Sequence, residues 1–246
     1  MNTIIITVAG TATRFNKDTT SNTLKCLYYE NSPQETLLYG ILEKSKDDDQ
    51  FVIVGGYLYE HLKEYISLHC ARFADRIRVV YNEKFDTYGS GYSLILGIEN
   101  LPKNTSSVTF VEGDLFFDKT SYHKLLDTPQ DAITVNHDPI EASKAVAVVV
   151  DAQWCIHYIY DTKHALLSVK DPFRAIYNSA QMWKFSNVER LRNVLDNLDQ
   201  LQIEGTNLEI IAGYFMSMNV QVIDIITVEQ WCNCNTVADY KNIFKK

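Results

Sequence analysis

The sequence has few of the features that mark disulfide-bonded, zinc-binding or membrane proteins. It contains five cysteines, an odd number, and no two of them have the C-x-x-C spacing of a zinc site. Its longest wholly apolar stretches, such as residues 145–150, are far shorter than the roughly 18 residues that a membrane helix needs. We therefore expect a protein without disulfides or a membrane span, in the reducing cytoplasm.

Basic residues are also scarce relative to acidic ones. The chain has 23 Lys and Arg against 31 Asp and Glu, a net charge of −8. This balance argues against a nucleic-acid binder, whose affinity comes from clustered Lys and Arg. A Pro, Gly or Ser-rich linker and an internal repeat are both absent, so we predict one domain over residues 1–246.

What the sequence does contain is an alternation of apolar runs with segments of helical period. In the first half, strands are predicted at 3–8, 51–54, 77–81 and 107–111, with helices between them. Shorter apolar runs between residues 132 and 160 predict antiparallel additions. The order predicts an α/β fold that is Rossmann-like, with a mixed, mainly parallel central sheet flanked by helices. Further strands are predicted at 132–136, 145–150, 156–160 and 220–226, and helices at 35–44, 57–71, 91–100, 187–201 and 238–244.

The first segment that indicates chemistry is 8–15 (VAGTATRF), directly after the first predicted strand. Its small residues let backbone N–H groups approach phosphate oxygens, and Arg14 and the downstream Lys25 can neutralise them. The motifs G-x-G-x-x-G and G-K-[ST] are both absent. An ordinary turn with two exposed cations is therefore the alternative.

Ala9, Gly10, Arg14 and Lys25 resemble the opening signature A-G-x-G-[ST]-R, followed by Lys, of the nucleotidyltransferases that activate phosphorylated small molecules with an NTP. Three more segments occur in the order typical of that family, and the resemblance spans nearly the whole chain. They are 82–94 (NEKFDTYGSGYSL), similar to phosphocholine cytidylyltransferases, 111–116 (VEGDLF), similar to the strand end with the metal-binding Asp, and 231–240 (WCNCNTVADY), similar to the terminal element with the second metal ligand.

The resemblance implies a set of nucleotide-binding residues and a Mg²⁺ site. Asp114 and Asn235 would hold the metal, because hard Mg²⁺ prefers oxygen ligands. A strand-end turn and a helix cap are the respective alternatives for these two residues. Asp114→Asn should reduce turnover by orders of magnitude. Because the carboxylate would otherwise be uncompensated, the same change should leave stability nearly unchanged or raise it. The expected nucleotide-binding residues are Ala9, Gly10, Thr11, Ala12, Thr13, Asn82, Gly89 and Ser90.

Both reactants of such a reaction are anions, so cations must hold them together. Arg14 and Lys25 would screen the triphosphate and the departing pyrophosphate. Lys170 resembles the lysine that contacts the acceptor phosphate in related enzymes, and Arg174 is a second cation near it. Glu112 and Glu209 are the acidic residues expected to contact an amine of the acceptor. A surface Lys before a turn is the alternative for Lys170.

Two residues depart from the pattern of the family. Ala12 stands where the family has its second loop glycine, and a positive φ there would cost an alanine about 1 kcal/mol. Asn235 stands where many members have Asp, so a neutral amide oxygen would face the metal.

The predicted function is a cytidylyltransferase that joins CMP from CTP, or a nucleotide from another NTP, to a small phosphorylated or phosphonate acceptor and releases pyrophosphate. Phosphocholine, aminoethylphosphonate and phosphoglutamine are the acceptor types considered, and the product class suggests decoration of a surface glycan or lipid. A sugar-1-phosphate nucleotidyltransferase and an inactive nucleotide-binding regulator are the alternatives. Both a monomer and a homodimer are compatible with the sequence.

Overall fold

The computed structural model of the chain describes residues 1–142, 146–162, 165–216 and 218–244. These residues form eleven strands, eight helices and short 3₁₀ turns. The strands are β1 (Asn2–Val8), β2 (Gln50–Gly55), β3 (Ile77–Tyr81), β4 (Ser107–Glu112), β5 (Leu115–Phe117), β6 (Asp131–Asn136), β7 (Ala147–Asp151), β8 (Ile156–Ile159), β9 (Phe173–Phe185), β10 (Ile223–Thr227) and β11 (Trp231–Asn233). The helices are α1 (Leu37–Lys44), α2 (Tyr59–His69), α3 (Ser90–Glu99), α4 (Lys119–Asp127), α5 (Val188–Asp196), α6 (Gln200–Ile203), α7 (Asn207–Phe215) and α8 (Val237–Phe244).

The central sheet has the strand order β10-β6-β9-β4-β1-β2-β3. All of these strands are parallel to one another except β9, which is antiparallel to β4 and β6 on either side of it. The antiparallel pair of β7 and β8 extends from β9, and β5 and β11 form a separate two-stranded ribbon. The predicted α/β fold with a mixed, mainly parallel sheet is thus confirmed.

The sheet is buried on both faces. Ile4 and Ile6 of β1 belong to the core on one side, whereas Ile5 between them belongs to the core on the other. This alternation is what a strand covered by helices on both faces requires. On the second face Trp183 of β9 stacks on Phe110 of β4, with ring centroids 5.4 Å apart.

Several predicted elements are confirmed with shifted ends. The helix expected from residue 35 starts at Leu37, because the Thr36 hydroxyl accepts a hydrogen bond from the N–H of Tyr39 at 3.1 Å and caps it. The helix expected at 187–201 is divided into α5 and α6, where Asp199 and Gln202 form a capping box. Residue 145, the predicted start of a strand, lies outside the described residues, and β7 starts at Ala147.

The sequence analysis misses β9, the central antiparallel strand. Gln181 has a φ of 58° and lies in the stretch where the register of β9 against β6 shifts, which breaks the alternation of side chains. Lys184 also hides the strand, since a buried lysine is rare in a sheet. Its ammonium donates to the carbonyls of Leu126 and Thr128 at the end of α4, at 2.8 and 2.5 Å. The buried polar group of this strand is therefore hydrogen-bonded by residues distant in sequence, which the local sequence pattern does not reveal.

No helix in the described ranges is long and apolar enough to cross a membrane.

Two helical glycines offer a matched test of this packing. A Cβ at Gly97 of α3 would lie 2.5 Å from Cγ2 of the fully buried Ile5, whereas a Cβ at Gly40 of α1 would find its nearest atom, Lys44 Nζ, at 3.7 Å. We expect Gly97→Ala to lower the free energy of unfolding by about 1–3 kcal/mol through overpacking. Gly40→Ala should instead change it by between zero and about +1 kcal/mol, because alanine is the better helix former. Urea unfolding of the two variants measures both, and equal effects would contradict the close contact of α3 with β1.

Candidate active site

The candidate site lies at the carboxyl edge of the parallel strands, where β1 and β4 end side by side. Ligands of open α/β sheets bind at this edge. Gly113, directly after β4, permits the close contact: a Cβ there would lie 2.2 Å from Cγ1 of Val8. Its N–H donates to the carbonyl of Thr7 at 3.0 Å. The chain therefore brings Asp114 to the cavity that the loop after β1 also lines.

The loop after β1 lines this cavity and has backbone N–H groups without a partner among the described residues. Ala9, Gly10 and Ala12 line it, and the N–H groups from Gly10 to Thr13 donate to no other described residue. A Cβ at Gly10 would have no atom within 4 Å, so the space above it is open. Thr11 and Thr13 are exposed, with their hydroxyls 3.2 Å apart. Such a row of unpaired N–H groups suits phosphate oxygens.

Ala12 has a φ of 51°, in the left-handed region. This alanine therefore has the backbone conformation whose cost the sequence analysis considers. The residue packs against an apolar cluster that includes Phe15, Val237 and Tyr240. Burial of its methyl group offsets part of the backbone cost of about 1 kcal/mol.

Lys25 and Arg14 converge on the two predicted metal ligands. The Lys25 ammonium forms a hydrogen-bonded ion pair with Oδ2 of Asp114 and lies 3.5 Å from Oδ1 of Asn235. The Arg14 guanidinium donates to the same Asn235 oxygen at 2.9 Å. Burial acts to lower the pKa of Lys25, but the charge and hydrogen bond of Asp114 raise it above its usual value. Lys25 is therefore a cation at neutral pH.

The ribbon of β5 and β11 brings Asp114 and Asn235 together. Asn233 pairs with Leu115, and the N–H of Cys234 donates to the carbonyl of Asp114 at 2.9 Å. The alternative that Asn235 is a helix cap does not apply, because the hydroxyl of Thr236 accepts from the N–H of Asp239 at 3.1 Å. The Asn235 side-chain oxygen instead faces the cations.

The oxygen atoms of this cluster fit a Mg²⁺ ion. Oδ1 of Asp114 is buried, and no described residue donates a hydrogen bond to it. A buried carboxylate oxygen without a partner is unfavourable unless a cation approaches it. The amide oxygen of Asn235 is a second hard ligand of the kind that Mg²⁺ accepts, and a metal ion there would displace the hydrogen bonds that this oxygen accepts from Arg14 and Lys25. Over the described part of the chain, no group of three or more His, Cys, Asp and Glu is arranged to hold a metal ion. The protein ligands would therefore be this carboxylate and this amide.

Glu112, the last residue of β4, lies beside the cluster. Burial, followed by the charge of Asp114, raises the pKa of Glu112 to about 7. The side-chain amide of Asn207 donates to Oε1 of Glu112 at 2.6 Å and acts in the opposite direction. The carboxylate is thus held by a neighbour from α7.

Two cavities meet at this point. The smaller, of about 290 Å³, includes the loop after β1, Asn82 and Gly89, and the larger, of about 850 Å³, extends toward β8 and α7. The residues that line both are Lys25, Ser90, Glu112 and Asp114. The predicted nucleotide-binding segments therefore line one cavity, while Arg14 and Asn235 line the other.

Several donors expected to bind the nucleotide have protein partners. The N–H groups of Gly89 and Gly91 donate to the carbonyls of Glu204 and Gly205, at 2.8 and 3.1 Å. The amide of Asn82 donates to Ser93 at 2.9 Å and accepts from the N–H of Lys84 at 2.8 Å. These positions shape the wall of the cavity, and the rings of Phe85 and Tyr88 add to it.

The structure does not bring Lys170 or Arg174 to the site, and neither is among the described residues that line the two cavities. Lys170 is exposed. The guanidinium of Arg174 lies over the ring of Trp154, 4.5 Å from its centroid, and donates to the carbonyl of Ala152 at 3.0 Å. These local contacts hold it at the hairpin between β7 and β8.

Glu209 contributes indirectly. It lies in α7 and accepts a 2.5 Å hydrogen bond from the hydroxyl of Tyr160, which lines the larger cavity. Tyr160 and Asn207 are site residues that the sequence analysis misses. The motif Gly205-Thr-Asn before an apolar run is a helix-start signal, but it indicates a cap rather than a partner for Glu112.

The fold is the one seen in solved nucleotidyltransferases. The chain is similar to the inositol-1-phosphate CTP transferase from T. maritima, with 16% identity, a TM-score of 0.69, and coverage of 100% of this chain and 96% of the other. It is also similar to a putative glucose-1-phosphate thymidylyltransferase from Bacillus anthracis, with 14% identity, a TM-score of 0.71, and coverage of 99% of this chain and 94% of the other. A third similar structure is the CTP:phosphocholine cytidylyltransferase from Streptococcus pneumoniae, with 18% identity, a TM-score of 0.62, and coverage of 98% of this chain and 97% of the other.

The nucleotidyltransferase fold is thus established. The chain belongs to the family described as "Domain of unknown function (DUF6564)", whose model matches residues 21–246. No curated protein matches it in sequence.

The ion pair of Lys25 and Asp114 changes the expectation for stability. The sequence analysis treats the Asp114 carboxylate as uncompensated, but Lys25 compensates it, and the two side chains are only 24% and 17% exposed. We expect Lys25→Met and Asp114→Asn each to lower the free energy of unfolding by about 1–3 kcal/mol, because each leaves a partly buried group without its partner. The double variant should lose clearly less than the sum. Urea unfolding of the four proteins measures this coupling, and strictly additive effects would contradict it.

Proposed function

We propose that the chain is a Mg²⁺-dependent cytidylyltransferase, which joins CMP from CTP to a small phosphorylated or phosphonate acceptor and releases pyrophosphate. The observation that carries the proposal is the position of the Lys25 ammonium. It lies between the two cavities, in contact with the oxygens of Asp114 and Asn235 and beside a loop of unpaired N–H groups.

The reaction follows from these charges. An acceptor phosphate oxygen attacks the α-phosphorus of the NTP, and the bond from that phosphorus to the bridging oxygen of pyrophosphate breaks. The acceptor oxygen is already anionic, so no proton has to be removed. The loop N–H groups and Arg14 hold the triphosphate, and Lys25 offsets the charge that develops as pyrophosphate leaves. These residues mainly position and screen two anions that repel each other.

Asp114 and Asn235 would hold the Mg²⁺, which would supply further positive charge and fix the orientation of the phosphates. CTP is preferred among the nucleotides because the segment 82–94 resembles phosphocholine cytidylyltransferases. Two of the similar proteins, the inositol-1-phosphate CTP transferase and the CTP:phosphocholine cytidylyltransferase, are also named for CTP.

The larger cavity favours an acceptor that has a positive charge beyond its phosphate. Among the described residues that line it, six are acidic and two, Arg14 and Lys25, are basic. Tyr160 and Trp231 add aromatic surface, which binds ammonium groups well. Phosphocholine, aminoethylphosphonate and phosphoglutamine have a charged nitrogen, whereas a sugar 1-phosphate does not. The acidic lining residues are Glu112, Asp114, Asp138, Glu141, Asp161 and Asp239.

The function is tested by pyrophosphate release with Mg²⁺ over a panel of four NTPs and both acceptor classes. We expect turnover with CTP and a nitrogen-containing acceptor, and Lys25→Ala should lower kcat by about 10² or more, equivalent to about 2.7 kcal/mol. Lys25→Arg should recover little, because a planar guanidinium does not replace a compact ammonium. The exposed Lys17→Ala, in the same segment, is the control.

Three results would change the proposal. Turnover only with sugar 1-phosphates would favour the sugar-1-phosphate enzyme, and nucleotide binding without turnover on any acceptor would favour the regulator. A Lys25→Ala protein within threefold of the wild-type kcat would refute the role of Lys25.

The metal site has a test that does not depend on turnover. Asn235→Asp adds a negative charge at the amide oxygen, so we expect Mg²⁺ to bind about fivefold more tightly or better, equivalent to about 1 kcal/mol. Titration calorimetry with MgCl₂ and CTP measures the affinity. The exposed Asn104→Asp adds the same charge elsewhere and controls for net charge. Equal Mg²⁺ affinity in all three proteins would refute Asn235 as a ligand.

A further inference from the structure

The short connector from Glu204 to Thr206, between α6 and α7, contacts the start of α3, as does Asn207, the first residue of α7. The carbonyls of Glu204 and Gly205 accept from the N–H groups of Gly89 and Gly91. The N–H of Asn207 donates to the hydroxyl of Ser90 at 3.1 Å. The connector therefore fixes the wall of the smaller cavity.

The two glycines of this wall are required by the connector. A Cβ at Gly89 would lie 2.1 Å from the carbonyl oxygen of Gly205, and a Cβ at Gly91 would lie 2.8 Å from that of Thr206. Side chains at these positions would displace backbone rather than a flexible group. The close packing of α3 on the connector therefore explains both residues.

Asn207 links this connector to the end of β4. It is only 3% exposed, and its side-chain amide donates to Oε1 of Glu112 at 2.6 Å. Glu112 lines both cavities and interacts electrostatically with Asp114 and Lys25. A rotation of its carboxylate toward Lys25 would compete with Asp114 for the ammonium.

We propose that Asn207 is a positioning residue: its amide holds the Glu112 carboxylate at the wall shared by the two cavities, so that Lys25 stays paired with Asp114. The effect on catalysis rests on the proposed function, whereas the link between Asn207 and Glu112 does not. A side chain with a fixed hydrogen bond loses less orientational freedom when a ligand binds. Asn207 should thus affect acceptor binding and transfer more than nucleotide binding.

Asn207→Leu removes the amide and keeps a similar volume. We expect kcat/KM for the acceptor to fall at least tenfold, while the Kd for CTP, measured by calorimetry, changes less than twofold. The matched control is Asn187→Leu, since Asn187 caps α5 through the N–H of Arg190 at 2.9 Å and lines neither cavity among the described residues. This control should lose stability, but its kcat/KM for the acceptor should not fall relative to its Kd for CTP. A loss below threefold for Asn207→Leu, or equal losses in both kinetic and nucleotide constants, would overturn the proposal.

A reciprocal exchange tests the link without any turnover. Asn207→Asp places two carboxylates in contact, so Tm should fall. Adding Glu112→Gln restores one amide-to-carboxylate hydrogen bond in the reverse direction, and more than half of the lost Tm should return. If wild type transfers no nucleotide but this recovery occurs, the proposed function fails and the link is supported. If Tm does not recover, Asn207 does not hold Glu112 and the inference is overturned, whatever the enzyme does.

Discussion

The ion pair between Lys25 and Asp114 is the contact on which the candidate site depends. It joins the segment after the β1 loop to the end of β4, and through Asn235 it also includes β11 and Arg14. Neither charge is stable alone in a place so little exposed. One ammonium is shared by the Asp114 carboxylate and the Asn235 amide. It therefore separates the loop proposed to bind phosphate from the two oxygens proposed to bind Mg²⁺. This is the electrostatic arrangement that a reaction between two anions requires.

The sheet holds this arrangement in place. The parallel strands end at one edge, and the absence of a side chain at Gly113 lets β4 approach β1 closely enough for Asp114 to reach Lys25. Asn235, the second proposed ligand, comes from the far end of the chain and is positioned by the pairing of β11 with β5. Catalytic geometry must be correct within a fraction of an ångström, and rigid strands provide this better than free loops.

The sequence predicts those parts of the fold and site whose signals are local or follow a family order. Strands β1 to β4 are mostly apolar, and Arg14, Lys25, Asp114 and Asn235 stand in recognisable motifs. Strand β9 is missed for two reasons. The buried ammonium of Lys184 finds its hydrogen-bond partners only at the end of α4, and a register shift near Gln181 interrupts the alternation of side chains. Asn207 is missed for a related reason, since its partner Glu112 is distant in sequence and a lone Asn at a helix start indicates only a cap. For Lys170 and Arg174 the difference runs the other way. A partial motif match suggests that they contact the acceptor, but they line neither cavity among the described residues.

The two departures from the family pattern are compatible with the site once its contacts are considered. Ala12 keeps the left-handed turn, and its methyl packs on the cluster of Phe15 and Tyr240 rather than being a pure cost. Asn235 lacks the negative charge of an aspartate, but its oxygen accepts from Arg14 and lies near Lys25. An aspartate there would bind both cations more strongly and compete with the triphosphate for them. In the proposed site the neutral amide would leave the cations available to phosphate, while Asp114 would provide the formal negative charge that binds Mg²⁺.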